Sequence, residues 1–212
     1  LSASVFPAGL AMVILAGSEL FTGDCLILIP VLAGKASPAA FLRCLGIVYL
    51  GNFAGGLLVA ALAAYSHVFS LLDGALAAGA AATAAQKCAL PFGDAFLRGF
   101  VCNVLVCAAV WMALSAESAG GKVAALYGPI FLFVLCGFEH CVANMYYIPA
   151  GLLALREYSL SGEAYTALTW GNYLFRNLLP VTLGNLAGGL LFAGSYWSIC
   201  LKGGEKAAPE KQ

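Results

Sequence analysis

From Cys44 to Tyr65 the chain runs without a single charged residue, and four other stretches come close to this. Ser4–Ala33 holds only Glu19 and Asp24, Ala95–Leu114 only Arg98, Val123–Leu155 only Glu139 beside His140, and Leu178–Leu201 none. A helix that crosses a bilayer needs about 20 apolar residues, so each stretch is long enough. The runs are continuously apolar and lack the period-two alternation of a membrane barrel strand. The expected fold class is therefore all-α, an integral membrane helical bundle embedded in lipid, with residues 1–201 forming a single transmembrane domain. Composition agrees: 9% of the residues are charged, against about 25% in soluble domains. The net charge of zero leaves no basic face for nucleic acid.

Basic residues punctuate the spans. Lys35 and Arg43 follow the first, Lys87 the second and Lys122 the third, while Arg156 and Arg176 flank the link to the fifth. Their bias favours a cytoplasmic C-terminus, with 202–212 a polar cytoplasmic tail, in a multi-pass protein of the inner (plasma) membrane. Gly74–Gln86 is nearly all Ala and Gly. It reads as a short extramembrane helix or loop, too small in side chains to pack strongly. The eight cysteines form no C-x-x-C pair and mostly lie within spans, where cysteine acts as a small hydrophobe. Only His67 and His140 exist, without metal-ligand spacing, and no G-x-S-x-G elbow occurs. No metal, cofactor or enzymatic activity is expected.

The chain also contains an internal repeat. Leu50–Ala60 reads LGNFAGGLLVA and Leu183–Ala193 reads LGNLAGGLLFA. The first span carries Gly17-Ser18-Glu19 and then Pro30; the fourth carries Gly137-Phe138-Glu139 and then Pro149. The order is broken helix, G-N helix, plain helix, broken helix, G-N helix. This predicts a first, incomplete repeat over 1–66 and a second over 95–201, with one further span expected before Leu1. Three helices per repeat invert the second copy, and inverted repeats with paired broken helices point to a transport site near the membrane midplane.

A broken helix exposes backbone groups that must face protein or a water-filled cavity. Glu19 and Glu139 each follow a break and are expected to accept hydrogen bonds from loop N–H groups. Asn52 and Asn185 read as amides that satisfy the same broken backbone. Two half-helix N-termini converging on a pore would favour an anion. His140 replaces Leu20 in the repeat, so the duplicated scaffold does not explain it; it reads as a proton-exchanging group within reach of Thr22. Phe6, Leu10 and Phe133 are candidate apolar constrictions. Gly51 and Gly55, like Gly184 and Gly188, suggest close helix crossings.

The segments AGSELFTG at Ala16–Gly23, RGFVCN at Arg98–Asn103, GFEHCVANM at Gly137–Met145 and NLLPVTLGN at Asn177–Asn185 resemble the formate/nitrite transporter family. The resemblance covers nearly the whole chain. It implies an aquaporin-like protomer of six helices, assembled as a homopentamer with a pore in each protomer. It further implies that Phe6 and Phe133, with Val106 nearby, form one apolar constriction, and that Leu10 and Leu20 form the other beside a mobile loop. His140 would be the central histidine and Thr22 its hydrogen-bonding partner. Glu139 and Asn144 would support the second break, Lys87 would draw the anion in, and Asn103 would line the pore. This chain departs from the family pattern at Val104, where many members carry Trp, and at Asp24, where several carry a neutral residue.

The expected function is a channel or transporter for small monovalent anions, formate or nitrite first, either coupled to protons through His140 or passive, with His140 neutral and the anion conducting as such. Hydrosulfide and lactate are further candidate anions. The alternatives are a hydrosulfide channel of the same family and an aquaporin-like neutral-solute pore, against which the absence of N-P-A motifs counts. A membrane hydrolase using Glu139 and His140 lacks a placed nucleophile.

Overall fold

A computed structural model describes residues 2–202. The expected polar tail, beyond Lys202, lies outside the described residues. The main helices are α1 (Pro7–Ala16), α2 (Pro38–Tyr65), α3 (Ala75–Cys88), α4 (Phe92–Leu114), α5 (Ala119–Leu135), α6 (Cys141–Glu157) and α7 (Leu179–Tyr196). Among the described residues α2, α4 and the stretch Glu163–Leu201 are long and apolar enough to cross a membrane. Only 11% of the apolar window of α2 is buried, which leaves a broad greasy face for lipid or a neighbouring molecule.

Both broken spans break as the sequence predicts, and by the same device. α1 stops at Gly17, in the left-handed region at φ 70°, and α5 is followed by Gly137 at φ 67°. Glycine adopts this conformation without a side-chain clash. In each case the next residue closes the helix end: Ser18 N donates to Val13 O at 2.9 Å, and Phe138 N to Phe133 O at 3.0 Å. Beyond the breaks the halves differ. His140 caps α6 by accepting from Ala143 N, whereas Leu20 has no polar atom with which to cap. The first half continues as a 3-10 turn, Gly23–Ile27, and the short helix Leu28–Leu32. The expected pair of converging helix dipoles is thus reduced to one full helix, α6.

Glycines set the closest crossings. A Cβ on Gly184 or Gly188 would strike the backbone of Phe96 or Phe100, so α7 lies directly on α4. Gly51 and Gly55, their repeat counterparts, face nothing within 4 Å; Gly56 instead meets Met145 of α6. The difference follows from topology. α4 fills the groove in the second repeat, and no described helix fills it in the first. The sequence expectation for Gly74–Gln86 also needs correction. That segment forms α3, which buries Ala77, Ala81, Ala84, Ala85 and Cys88. A Cβ on Gly151 of α6 would collide with Ala84. Small side chains do not weaken this contact; they permit it.

Candidate functional site

The two breaks meet at the centre of the molecule, where each is clamped by one asparagine. Asn52 Oδ1 accepts from Phe21 N at 3.0 Å, and its Nδ2 donates to Glu19 O at 3.2 Å. Asn185 repeats the pattern: Oδ1 accepts from Cys141 N at 2.8 Å, and Nδ2 donates to Glu139 O at 2.9 Å and to Gly99 O at 2.7 Å. Each amide serves both a donor and an acceptor of backbone that a continuous helix would have satisfied itself.

The glutamate side chains do not share this symmetry. Both glutamates give their backbone carbonyls to the asparagine clamp, but neither carboxylate accepts from the loop N–H groups as expected. Glu139 is 4% exposed. Its Oε1 receives Lys87 Nζ at 2.8 Å, and its Oε2 receives Asn144 Nδ2 at 2.7 Å and Asn177 Nδ2 at 3.2 Å. The Glu19 side chain is exposed. Lys87 arrives from α3 and Asn177 from a π-helical turn, Tyr173–Leu178, and neither element has a counterpart around Glu19. The same π turn also carries the Asn177 amide to Lys87 O at 3.0 Å. Only an amide at the head of an apolar span marks Asn177 in the sequence.

His140 and Thr22 come together across the pseudo-twofold, with Nε2 and Oγ1 3.0 Å apart. The other ring nitrogen, Nδ1, accepts from Ala143 N at 3.1 Å. A neutral ring with Nδ1 so occupied carries its proton on Nε2 and donates it to Thr22. Above the imidazole lies a cavity of about 240 Å³ whose wall includes Phe6, Leu10, Leu20, Val106, Phe133 and His140. All five residues expected at constrictions therefore line one space, and His140 is the group with polar side-chain atoms among its lining. Phe6 and Phe133 meet edge to face, with centroids 5.4 Å apart, and Phe133 stacks on His140 at 5.9 Å. Leu10, Val13 and Leu20 also border a second cavity, so they form the partition between the two.

Two expected site residues sit elsewhere. Asn103 is fully buried and lies off the cavity wall. Its Nδ2 donates to Asn185 O at 2.6 Å and approaches Cys25 Sγ at 3.5 Å. It ties α4 to α7, because Gly189 leaves room for the amide where a Cβ would collide with it. Lys87 presents no free charge to the cavity, since its ammonium is committed to Glu139 and lies 5.9 Å from the Tyr147 ring.

Comparison with known proteins agrees with this geometry. A family model described as "Formate/nitrite transporter" matches residues 1–199. The chain is 38% identical over 200 residues to the formate channel FocA of Haemophilus influenzae, covering 91% of this chain and 70% of that protein. It is 35% identical to the formate channel FocA of Escherichia coli, covering 93% and 72%. Among solved structures, a pentameric formate channel with formate bound superposes with a TM-score of 0.82 at 36% identity, over 94% of this chain and 82% of that one. An FNT family ion channel gives 0.77 at 33% identity, over 98% and 76%.

Proposed function

From the premise that this chain belongs to the formate/nitrite transporter family, we propose that it is a pore for small monovalent anions, formate ahead of nitrite. We further propose that it works as a homopentamer in the inner (plasma) membrane, with one pore per protomer. The observation that carries the reading is the cavity of about 240 Å³, lined by apolar side chains and His140 at the capped start of α6.

An anion entering this space sheds water against Phe6, Phe133, Leu10 and Leu20, at a cost that is steep for a charge in an apolar site. Two features offset that cost. The N-terminus of α6 carries about half a positive charge. The His140 ring, held by Thr22 and Ala143, is the polar side chain that the cavity presents to the anion. An anion that takes a proton there passes the partition as a neutral acid and avoids most of the penalty. His140 and Thr22 are the proposed proton-exchanging groups; Lys87, Glu139 and Asn144 hold them in place from behind.

Formate uptake into proteoliposomes tests the reading, with nitrite, hydrosulfide and lactate as competitors. Saturable formate uptake that nitrite inhibits supports it. Water permeation without anion uptake overturns it in favour of a neutral-solute pore.

A further inference from the structure

On the far side of the Leu10–Leu20 partition lies the second cavity, about 500 Å³ in volume. Two carboxylic side chains line it, Glu19 and Asp24, and no lysine or arginine is among its lining residues. For a path that carries anions this is the wrong sign of charge, because fixed carboxylates raise the energy of an approaching anion.

The two side chains differ in setting. Glu19 is exposed at the mouth. Asp24 sits on the 3-10 turn and is 8% exposed. Its carboxyl faces that of Glu19 and the backbone of Leu20, and its Oδ2 is fully buried with no hydrogen-bond partner. A buried carboxylate oxygen without a donor is costly. A proton held by the Asp24 carboxyl and shared with the Glu19 carboxylate lowers that cost, because two neighbouring carboxyl groups then carry one charge between them.

Among the described residues that line this cavity there is no basic side chain. The further titratable neighbours are the thiols of Cys25 and Cys44. Cys107 of α4 points its thiol at Thr22 O. α7 brings only Tyr196, packed on Trp111, and Leu28–Leu32 brings none. Among the described residues no group of three metal-ligating side chains occurs, so a proton fits this pair better than a metal ion.

We propose that Glu19 and Asp24 form an acid pair that holds one proton and delivers it to the anion in this vestibule, before the partition. The O–H bond of the pair breaks as an O–H bond forms on the anion, which leaves as the neutral acid. The pair, now doubly ionised, takes a proton back from hydronium on the same side. In the reverse direction it receives the proton of the emerging acid. The inference rests on the pore reading above, and adds a second proton site separated from His140 by Leu10, Val13 and Leu20.

Infrared spectroscopy and transport test it separately. At neutral pH the purified wild-type pentamer should show a carboxylic acid C=O band, absent from Asp24→Asn and shifted in Glu19→Gln. Formate uptake by Asp24→Asn should fall about tenfold and rise less steeply on acidification, with Asp24→Glu restoring both. Absence of the band from the wild type overturns the proposal, as do wild-type uptake and pH profile in Asp24→Asn and Glu19→Gln. If Asp24→Asn does not assemble, the exposed Glu19→Gln decides. If the wild type carries no formate, the pore reading fails, and the infrared band still decides the shared proton.

Discussion

Lys87 Nζ stands 2.8 Å from Glu139 Oε1, and the pair is almost enclosed, with the two side chains 18% and 5% exposed. The cation is held as half of a neutral couple, and Asn144 and Asn177 occupy the remaining carboxylate oxygen. The ammonium is therefore neutralised where it stands and lies off the lining of the cavity beside His140.

Glu139→Gln should strand the ammonium of Lys87. Breaking a buried pair from one side costs about 3–5 kcal/mol, and the partial exposure of Lys87 places the loss at the lower end. Thermal unfolding in detergent should show a clear drop for Glu139→Gln, with partial recovery in Lys87→Met combined with Glu139→Leu. Equal melting of Glu139→Gln and wild type would remove the pair from the account of stability.

The Thr22–His140 contact predicts a separation of flux from titration. Thr22→Val removes a hydrogen bond of about 1 kcal/mol, so formate uptake at fixed pH should fall roughly fivefold. His140→Asn keeps a residue suited to capping α6 and removes the titrating ring. Its uptake should lose most of the rise that acidification gives the wild type. An unchanged pH profile of formate uptake would refute the proton role of His140.

Phe6 packs edge to face on Phe133, so a constriction at this point would be built of two rings. Replacing both with alanine should widen it more than either alone. The ratio of lactate to formate uptake should rise about tenfold, the scale on which apolar pockets discriminate by size. A ratio that stays fixed would place size selection elsewhere.

Asn185 makes three side-chain hydrogen bonds and is fully buried; Asn52 makes two and is only half-buried. At about 1 kcal/mol per bond, Asn185→Ala should cost about 3 kcal/mol and Asn52→Ala less than 2. Chemical denaturation of the two variants side by side would reveal the order, and a reversed order would contradict the clamp.

Gly184→Ala drives a methyl into the Phe96 carbonyl, and overpacking of this kind costs about 1–3 kcal/mol. Gly79→Ala on α3 meets nothing within 4 Å and should be neutral or slightly stabilising, since alanine is the better helix former. Pulse proteolysis of the pair would separate packing from helix propensity.

The spans, the two breaks and the duplication were legible because each leaves a local mark: an uncharged run, a glycine before an acid, a repeated G-N helix. Contacts made at long sequence range were not legible. Glu19 and Glu139 look equivalent in the sequence, yet only Glu139 meets Lys87, which comes from α3, and Asn177, which a π turn rotates inward. Asn103 reads as a lining amide until Gly189 is seen to open a place for it against α7. The packing of α3 is hidden in its Ala and Gly composition, because a sequence shows the bulk of a side chain and not how closely its backbone is approached. The meeting of Thr22 with His140 was anticipated from the pseudo-twofold, and the structure sets it at 3.0 Å.

The two breaks begin with the same glycine closure and then diverge, one into a capped seventeen-residue helix and the other into a 3-10 turn and five helical residues. Mechanically the two half-spans are a long fixed jamb and a shorter leaf beside it. The fixed jamb is α6, pinned by Asn185, the Glu139 couple and its own histidine cap. The leaf is Gly17–Ile27, held by Asn52 and Thr22 and by Cys25 and Leu26 buried against α4 and α7, and it carries both Leu20 of the partition and the two acids behind it. Because Leu20, Glu19 and Asp24 sit on one segment, the wall between the two cavities and the carboxylic groups beside it are placed by the same run of backbone.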